Sequence, residues 1–373
     1  MIPIQDMNIM FIMFRKGGRL SRNVKFMYKG RELDIVDRFT YLGIVFTPGG
    51  SFSKTFDALS GQALKAVFRL KSCISKYPCI SIKHRLDLFD KLIYPVLSYG
   101  SEIWGLSNSL QIERIHLRFC KELLGVRLQT QKNFVYGELG RTSLLCKRSI
   151  NVIRYWLKIV TMDTVKYVKL MYDKLCMHLK ENPHFKSWAY NVRQLLQALG
   201  FNDVWLSQGV GDINLFLNMF KRRATDNYIQ IWQSELRESS RARNYVHVSF
   251  FELQPYLCNV NITKYRYALS RLRMSSHMLS IETGRWHKPT ATPYNERTCL
   301  FCNTLEDEYH FLLECQLYAE LREMYIKPYY FKRRNMFKLI ELMTSQKAVV
   351  NRNLAMYVHK AFELRKTFHM YYE

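Results

Sequence analysis

Cys299, Cys302, His310 and Cys315 stand in the order C-x2-C-x7-H-x4-C, and that set of donor atoms suits one tetrahedral zinc ion. Two thiolates in a tight C-x-x-C turn can grip one side of the ion. An imidazole and a third thiolate from the next element then close the tetrahedron. Four protein ligands leave no position for a water, so such a zinc site is structural by type. His310 and Cys315 are five residues apart, which on an ideal helix takes them off a common face. Cys315 is therefore expected at a helix end that unwinds or turns. Two other readings stay open at this stage. A C-x-x-C redox pair would not need His310 or Cys315, and the cluster can also be a set of buried thiols.

The segment before the cluster is rich in groups that bind phosphate: Arg271, Arg273, His277, Arg285, His287, Lys288 and Arg297. Tyr265, Tyr267 and Trp286 lie among them and offer flat faces for stacking on bases. The alternative is a solvated face whose aromatics point into the core. Inside the cluster runs Glu306-Asp307-Glu308, and three thiolates on one zinc ion are themselves negative. The knuckle is thus a poor phosphate contact, and the basic segment is the better one. Lys221-Arg222-Arg223 and Lys332-Arg333-Arg334 are short basic runs; each is a phosphate patch, a nuclear import signal or a solvated face. Paired carboxylates for metal-assisted phosphoryl chemistry and a Gly-rich phosphate loop are missing from the sequence.

Charge agrees with a polyanion partner. Across 373 residues, 56 Lys and Arg face 31 Asp and Glu, a net +25 spread along the chain, and nucleic acid is the commonest partner of such a field. An anionic membrane surface is the other candidate for such a field; no stretch approaches the roughly 20 apolar residues of a spanning helix, and no membrane partner is expected. The apolar start, Met1 to Phe14, has no positively charged leading region and reads as a buried strand. Cys73, Cys79, Cys120, Cys146, Cys176 and Cys258 are scattered singly and, with no secretory signal, read as reduced, half-buried thiols of an intracellular protein; a nuclear place is expected for it with a nucleic-acid partner.

The elements that must position these groups are mainly helical. Residues 7–50 are the exception. Val24–Tyr28 and Glu32–Val36 flank a turn at Lys29-Gly30-Arg31, and a third strand runs from Phe39 to Phe46 before Thr47-Pro48-Gly49-Gly50. From Ser51, with Ser51 or Ser53 as cap, Phe52, Phe56, Leu59, Ala63, Val67, Leu70 and Ile74 make one helix face. A second helix begins near Ser81, with Ile82, Leu86, Phe89, Ile93 and Val96 inward until Pro95 kinks or ends it. A third buries Ile112, Ile115, Phe119 and Leu123 and stops before Gly125; a fourth spans Ser143 to Val160. Further helices fill 162–255, with breaks near Asn182-Pro183 and Gly209-Val210-Gly211. In the tail, Phe337, Ile340 and Leu342, then Leu354, Val358, Phe362 and Leu364, are expected inward.

Several of these segments together resemble one family. Tyr41-Leu42-Gly43-Ile44-Val45-Phe46, the stretch Tyr94-Pro95-Val96-Leu97-Ser98-Tyr99-Gly100-Ser101-Glu102-Ile103-Trp104-Gly105, and Glu138-Leu139-Gly140-Arg141 resemble the region after the polymerase core of non-LTR (LINE-type) retrotransposon reverse transcriptases. Ile281-Glu282-Thr283-Gly284-Arg285-Trp286 and the span Cys299 to Cys315 resemble the zinc-binding module that closes such proteins.

The resemblance implies an order of parts: a β-rich end of the palm at 1–50 and a thumb-like helical bundle at 51–160. A helical connector follows at 161–255, a basic segment with the CCHC module at 256–330, and a helical tail at 331–373. It also implies a hairpin around Tyr41-Leu42-Gly43. The family's catalytic Asp pair lies upstream of the strand matched by Ile9 to Phe14, so the chain is expected to begin after it. RNA-directed DNA polymerase activity is therefore not carried over. The expected role is binding of RNA or DNA without chemistry of its own; the alternative is the C-terminal part of an active polymerase. The seven residues between Cys302 and His310 depart from the four of the retroviral zinc knuckle, so the base-reading rules of that knuckle do not transfer.

Overall fold

The computed structural model describes residues 10–15, 25–77 and 80–372. The chain is mainly helical, with short strands near the N-terminus and a small Cys/His cluster near the C-terminus. Ile9, Val24 and Cys79, all named above, lie outside the described residues.

The N-terminal strands are two or three residues long. Met27–Tyr28 pairs antiparallel with Arg31–Glu32 across a two-residue turn. Lys29 and Gly30 both take positive φ there, at 50° and 79°, as a turn matching the strand twist requires. Asp34–Ile35 pairs in parallel with Met10–Phe11 instead. The single strand expected over Phe39–Phe46 is a second hairpin, Phe39–Tyr41 against Ile44–Phe46. Leu42 and Gly43 make its turn at φ 47° and 81°. A leucine in the left-handed region is uncommon, so residue pattern alone gives one strand here, whereas the resemblance implies a hairpin around Tyr41-Leu42-Gly43.

Two units, each assembled from separated stretches, make up the chain. The first takes 1–70, 90–115 and 148–213, and the second 71–89, 116–147 and 214–373. Segments of the expected bundle at 51–160 thus contribute to both.

In the first unit the Ser53–Ser75 helix carries the expected stripe: Phe56, Leu59, Ala63, Val67 and Leu70 are all buried. Ser51 Oγ accepts the Ser53 N–H at 3.3 Å, a cap for one of the helix's orphan donors. The buried Thr55 hydroxyl exchanges hydrogen bonds with the Val45 N–H and C=O (3.0 and 3.1 Å), tying helix to hairpin. Tyr99 Oη donates to the Leu42 carbonyl at 2.8 Å and holds the hairpin tip. Arg148 is buried under Trp104 (5.3 Å), donates to Ser109 Oγ at 2.7 Å and pairs with Glu113 at 3.5 Å.

The second helix, Ile82–Leu88, is capped by Ser81 and continues as a π-helical turn over Phe89–Ile93 before Tyr94–Leu97. Pro95 has no N–H to give and its ring crowds the carbonyl four residues back, so the wider turn relieves both problems. Leu97 becomes fully buried and Val96 only half-buried, a correction to the expected face.

The second unit is organised on two long-range pairings. The Thr263–Arg273 helix packs on the C-terminal Ala348–Tyr372 helix. Arg273 meanwhile reaches Glu138, at the end of the Lys132–Glu138 helix, at 3.0 Å. Gly140, just beyond that helix, sits at φ 59°, and a Cβ there would lie 2.7 Å from the Glu252 backbone. The tail keeps Leu342, Leu354 and Val358 inward as expected and departs at other positions. Phe337 is 69% exposed, whereas Leu339, Leu342 and Met343 are buried; Leu364 is exposed, and Ala361 and Arg365 take the inward positions.

Candidate metal centre and the basic segment

The chain around Cys299 doubles back in a short loop. Thr298 and Leu305 form an antiparallel bridge, and the Cys299 N–H donates to the Thr304 carbonyl at 2.8 Å. Asn303, in the left-handed region at φ 57°, returns its N–H to the Cys299 carbonyl at 2.8 Å. Asn tolerates that conformation better than most residues, and the turn points Cys299 and Cys302 the same way.

The other two donors flank a π-helical turn, His310–Glu314, which His310 opens and Cys315 follows. The Cys315 N–H reaches back five residues to the His310 carbonyl at 2.9 Å. This widened turn solves the spacing problem posed by the sequence, and Cys315 leaves the helix at φ −54°, ψ 125°. Asp307 Oδ1 accepts the His310 N–H at 2.9 Å and starts the turn.

The four donor atoms lie within 4.8 Å of one another, close enough to hold a metal ion. Cys315 Sγ is 3.8 Å from Cys299 Sγ and 3.6 Å from Cys302 Sγ. Thiolates about 2.3 Å from a tetrahedral zinc ion would be about 3.8 Å apart, so the spacing fits zinc. His310 supplies a second test. Its Nε2 is buried without a hydrogen-bond partner, while Nδ1 lies 3.2 Å from Thr304 Oγ1 and 3.5 Å from Glu314 Oε2. A ring whose Nδ1–H is occupied by such groups presents a free lone pair on Nε2, the usual arrangement of a ligating histidine.

Electrostatics concentrates negative charge on the same side. The contact with Cys315, and then the nearby His310 ring, hold the Cys299 thiol well below the usual thiol range, against the effect of burial. Cys315 is pushed up by the same contact. Burial opposes charge on His310, but Cys299 and Glu314 raise it above the ordinary imidazole value.

The acidic run inside the cluster is structural. Buried Glu306 takes two bonds from Arg365, both 2.7 Å, and the Ser280 N–H and hydroxyl, both 2.6 Å. Glu308 accepts from Asn244 at 2.6 Å and pairs with His277 at 2.9 Å. Arg322, also buried, donates to the Leu312 carbonyl at 2.9 Å and to the Cys315 carbonyl at 2.7 Å, the latter shared with the Tyr318 N–H.

The expected nucleic-acid residues do not share one face. Arg273 is 3% exposed, and its guanidinium binds Glu138, Gln254 Oε1 and the Val248 and Met343 carbonyls. His277 is likewise buried, its Nδ1 accepting from the Leu279 N–H. These two side chains brace the fold, so their expected place at a phosphate is corrected by burial. Arg285 and Arg297 are half-buried: Arg285 pairs with Glu282 at 3.0 Å, and Arg297 donates to the Thr292 and Ile281 carbonyls. Arg271, Trp286, His287 and Lys288 are exposed. Arg271 donates to the Gly125 carbonyl at 2.7 Å and His287 bonds Thr292 at 2.7 Å.

Two arginines that sequence patterns did not single out, Arg127 and Arg241, line a cleft of about 380 Å3 with Trp286, Thr130, Ser275, Ser276, Gln129 and Glu282. Its lining comes from segments more than a hundred residues apart, which leaves no local signature. Among the described residues no helix is long and apolar enough to cross a membrane. No family model matches this chain, and no curated protein or solved structure matches it.

Proposed function

We propose that this chain binds RNA or DNA through a basic surface, and that Cys299, Cys302, His310 and Cys315 hold one structural zinc ion that completes its C-terminal module. The net charge of +25 carries the reading. Among the described residues only seven Lys and Arg and four Glu are buried, some in pairs such as Glu138 with Arg273 and Glu306 with Arg365, so most of the excess stays on the surface. Lys221, Arg222, Arg223, Lys332 and Arg333 are among its exposed groups. The likeness of the sequence to the thumb and terminal zinc module of LINE-type reverse transcriptases supports the same partner. It also supports a nuclear place of action. Zinc is favoured over a redox pair because Nε2 of His310 is left without a partner beside three sulfurs. Four protein ligands also leave no open coordination position for catalysis.

Fluorescence anisotropy with a labelled 20-nucleotide strand and its duplex tests the partner. Affinity should fall steeply with salt, because each phosphate neutralised releases counterions. Replacing Arg271, Lys288, Lys332 and Arg333 by Ala should flatten that slope. Affinity indistinguishable from that of a neutral control protein at 50 mM salt would sink the reading. Elemental analysis tests the metal: one zinc per chain is expected, and none in folded, chelator-free protein would reduce the cluster to packing.

A further inference from the structure

The cleft beside Trp286 has chemistry that the zinc centre and the diffuse surface charge do not account for. Trp286 is 60% exposed, an unusual position for so large an apolar ring, and it lines the cleft directly. Arg241 covers one of its faces at 5.5 Å from the ring centroid. That contact orients the ring and leaves the opposite face open. Arg241 is itself held by Glu282, at 2.9 and 3.2 Å, and Arg285 holds the other oxygen of the same carboxylate at 3.0 Å. Two guanidinium groups on one carboxylate leave a net positive charge.

Arg127 adds another. Its guanidinium donates to the thioether of Met278, a weak acceptor, and forms no ion pair with a described carboxylate. The cleft therefore favours an anion. Its floor is hydroxylic. Ser276 Oγ accepts from the Arg127 N–H and from Thr130 Oγ1, both at 3.1 Å, so its own proton is unspent. Ser275 stands in the left-handed region at φ 49°, a strained conformation for a residue with a side chain, of the kind found at binding sites. A volume of about 380 Å3 lies at the small end of ligand sites.

We infer that this cleft binds one nucleotide with an unpaired base, the base stacked on the open face of Trp286 and the phosphate held by Arg127 and Arg241. The inference builds on the nucleic-acid reading above and adds a specific site and a preference for unpaired bases. A base inside a duplex has both faces covered and cannot stack on Trp286, whereas a base in a single strand or a free nucleotide can.

The test uses the full chain with a 12-nucleotide oligo(U), a 12-base-pair duplex and uridine 5′-monophosphate as probes. Trp286→Ala should weaken oligo(U) binding roughly tenfold, the scale of one lost stacked base, and leave duplex binding unchanged. Trp286→Phe should recover most of the loss. Arg127→Ala, at an exposed position, should weaken oligo(U) and the monophosphate together. Calorimetry with the monophosphate separates the two sources. Trp286-dependent binding of the monophosphate, with oligo(U) affinity unchanged in Trp286→Ala, would assign the cleft to a free nucleotide. If neither variant changes oligo(U) binding and the monophosphate does not bind, the cleft inference is overturned while surface binding of nucleic acid stands. If wild-type protein binds none of the three probes, both readings fall.

Discussion

Removing the charge of Glu138 without changing its shape should unfold much of the second unit. Glu138 and Arg273 are 0% and 1% exposed at their side chains, and the carboxylate takes bonds from Arg273 Nε at 3.0 and 3.2 Å and Nη2 at 3.0 Å. Tyr245 Oη donates to the Phe134 carbonyl at 3.1 Å and Tyr256 Oη lies 3.0 Å from Ser270 Oγ; burial, and then the nearby Glu138 carboxylate, push both phenols well up, so they stay protonated. In Glu138→Gln the guanidinium keeps its charge, because arginine does not deprotonate in proteins. It then has only an amide to face. Breaking a buried pair in this way costs about 3–5 kcal/mol, or roughly a hundred- to several-thousandfold in the local folding constant. Arg273→Met strands the buried carboxylate instead and should cost a similar amount. Hydrogen exchange in urea, read at amides of 132–138 and 263–273, separates the second unit from the first. A Glu138→Gln loss under about 1 kcal/mol, the scale of an exposed pair, would refute the dry, fully bonded arrangement.

The buried His116 ring is neutral in the fold: burial first, then Arg141 and Lys147, hold it well below the ordinary imidazole range. The unfolded chain takes up that proton below about pH 6.5, so stability present above this pH is lost as pH falls, by up to about 1.4 kcal/mol per unit. Urea midpoints at pH 7.5 and 5.5 should show a drop that is smaller in His116→Gln, and equal drops would count against it. Gly140→Ala should destabilise the protein by about 1–2 kcal/mol for the left-handed conformation alone, with the Glu252 clash added; an unchanged melting temperature would contradict this. Cys315→Ser should lower zinc content from about one ion per chain toward zero, while Cys73→Ser leaves it unchanged, as read by elemental analysis. Chelation should raise hydrogen exchange at 299–304 more than at 311–315, because Phe311, Leu312 and Leu313 are buried independently of the metal. Equal increases at both would show that zinc alone holds the module.

Helices were legible wherever an apolar stripe ran for several turns. The face from Phe56 to Ile74 and the breaks at Asn182-Pro183 and Gly209–Gly211 follow from spacing and chain chemistry. Legibility failed where tertiary contacts choose among similar residues. Phe337 and Leu339 are both apolar and two positions apart, and packing alone decides that Leu339 goes in. The basic segment failed for a related reason. Arg271 and Arg273 are alike in sequence, yet only Arg273 meets a buried carboxylate, 135 residues away along the chain. In the Cys/His cluster the ligand set was readable because donor type and spacing are themselves the signal. The π turn that joins His310 to Cys315 was foreshadowed only as a misfit to helical geometry.

That misfit explains why the module needs more than its ligands. Where the π turn ends, Arg322 donates to the Leu312 and Cys315 carbonyls from a buried position. Tyr357 Oη donates to the Phe311 carbonyl at 2.7 Å, and the Phe311 ring stacks on Phe362 at 4.7 Å. Arg365 fixes Glu306 between Cys302 and His310. Tyr357, Phe362 and Arg365 all lie on the Ala348–Tyr372 helix, so His310 and Cys315 are positioned from outside the span from Cys299 to Cys315. Seven residues between Cys302 and His310 are then a consequence of geometry: the loop must reach far enough for Glu306 to meet Arg365 and Ser280 while Asp307 starts the turn under His310. A donor set preassembled this way should bind metal with little reordering at His310 and Cys315, leaving the Cys299–Cys302 turn as the part that zinc itself must fix.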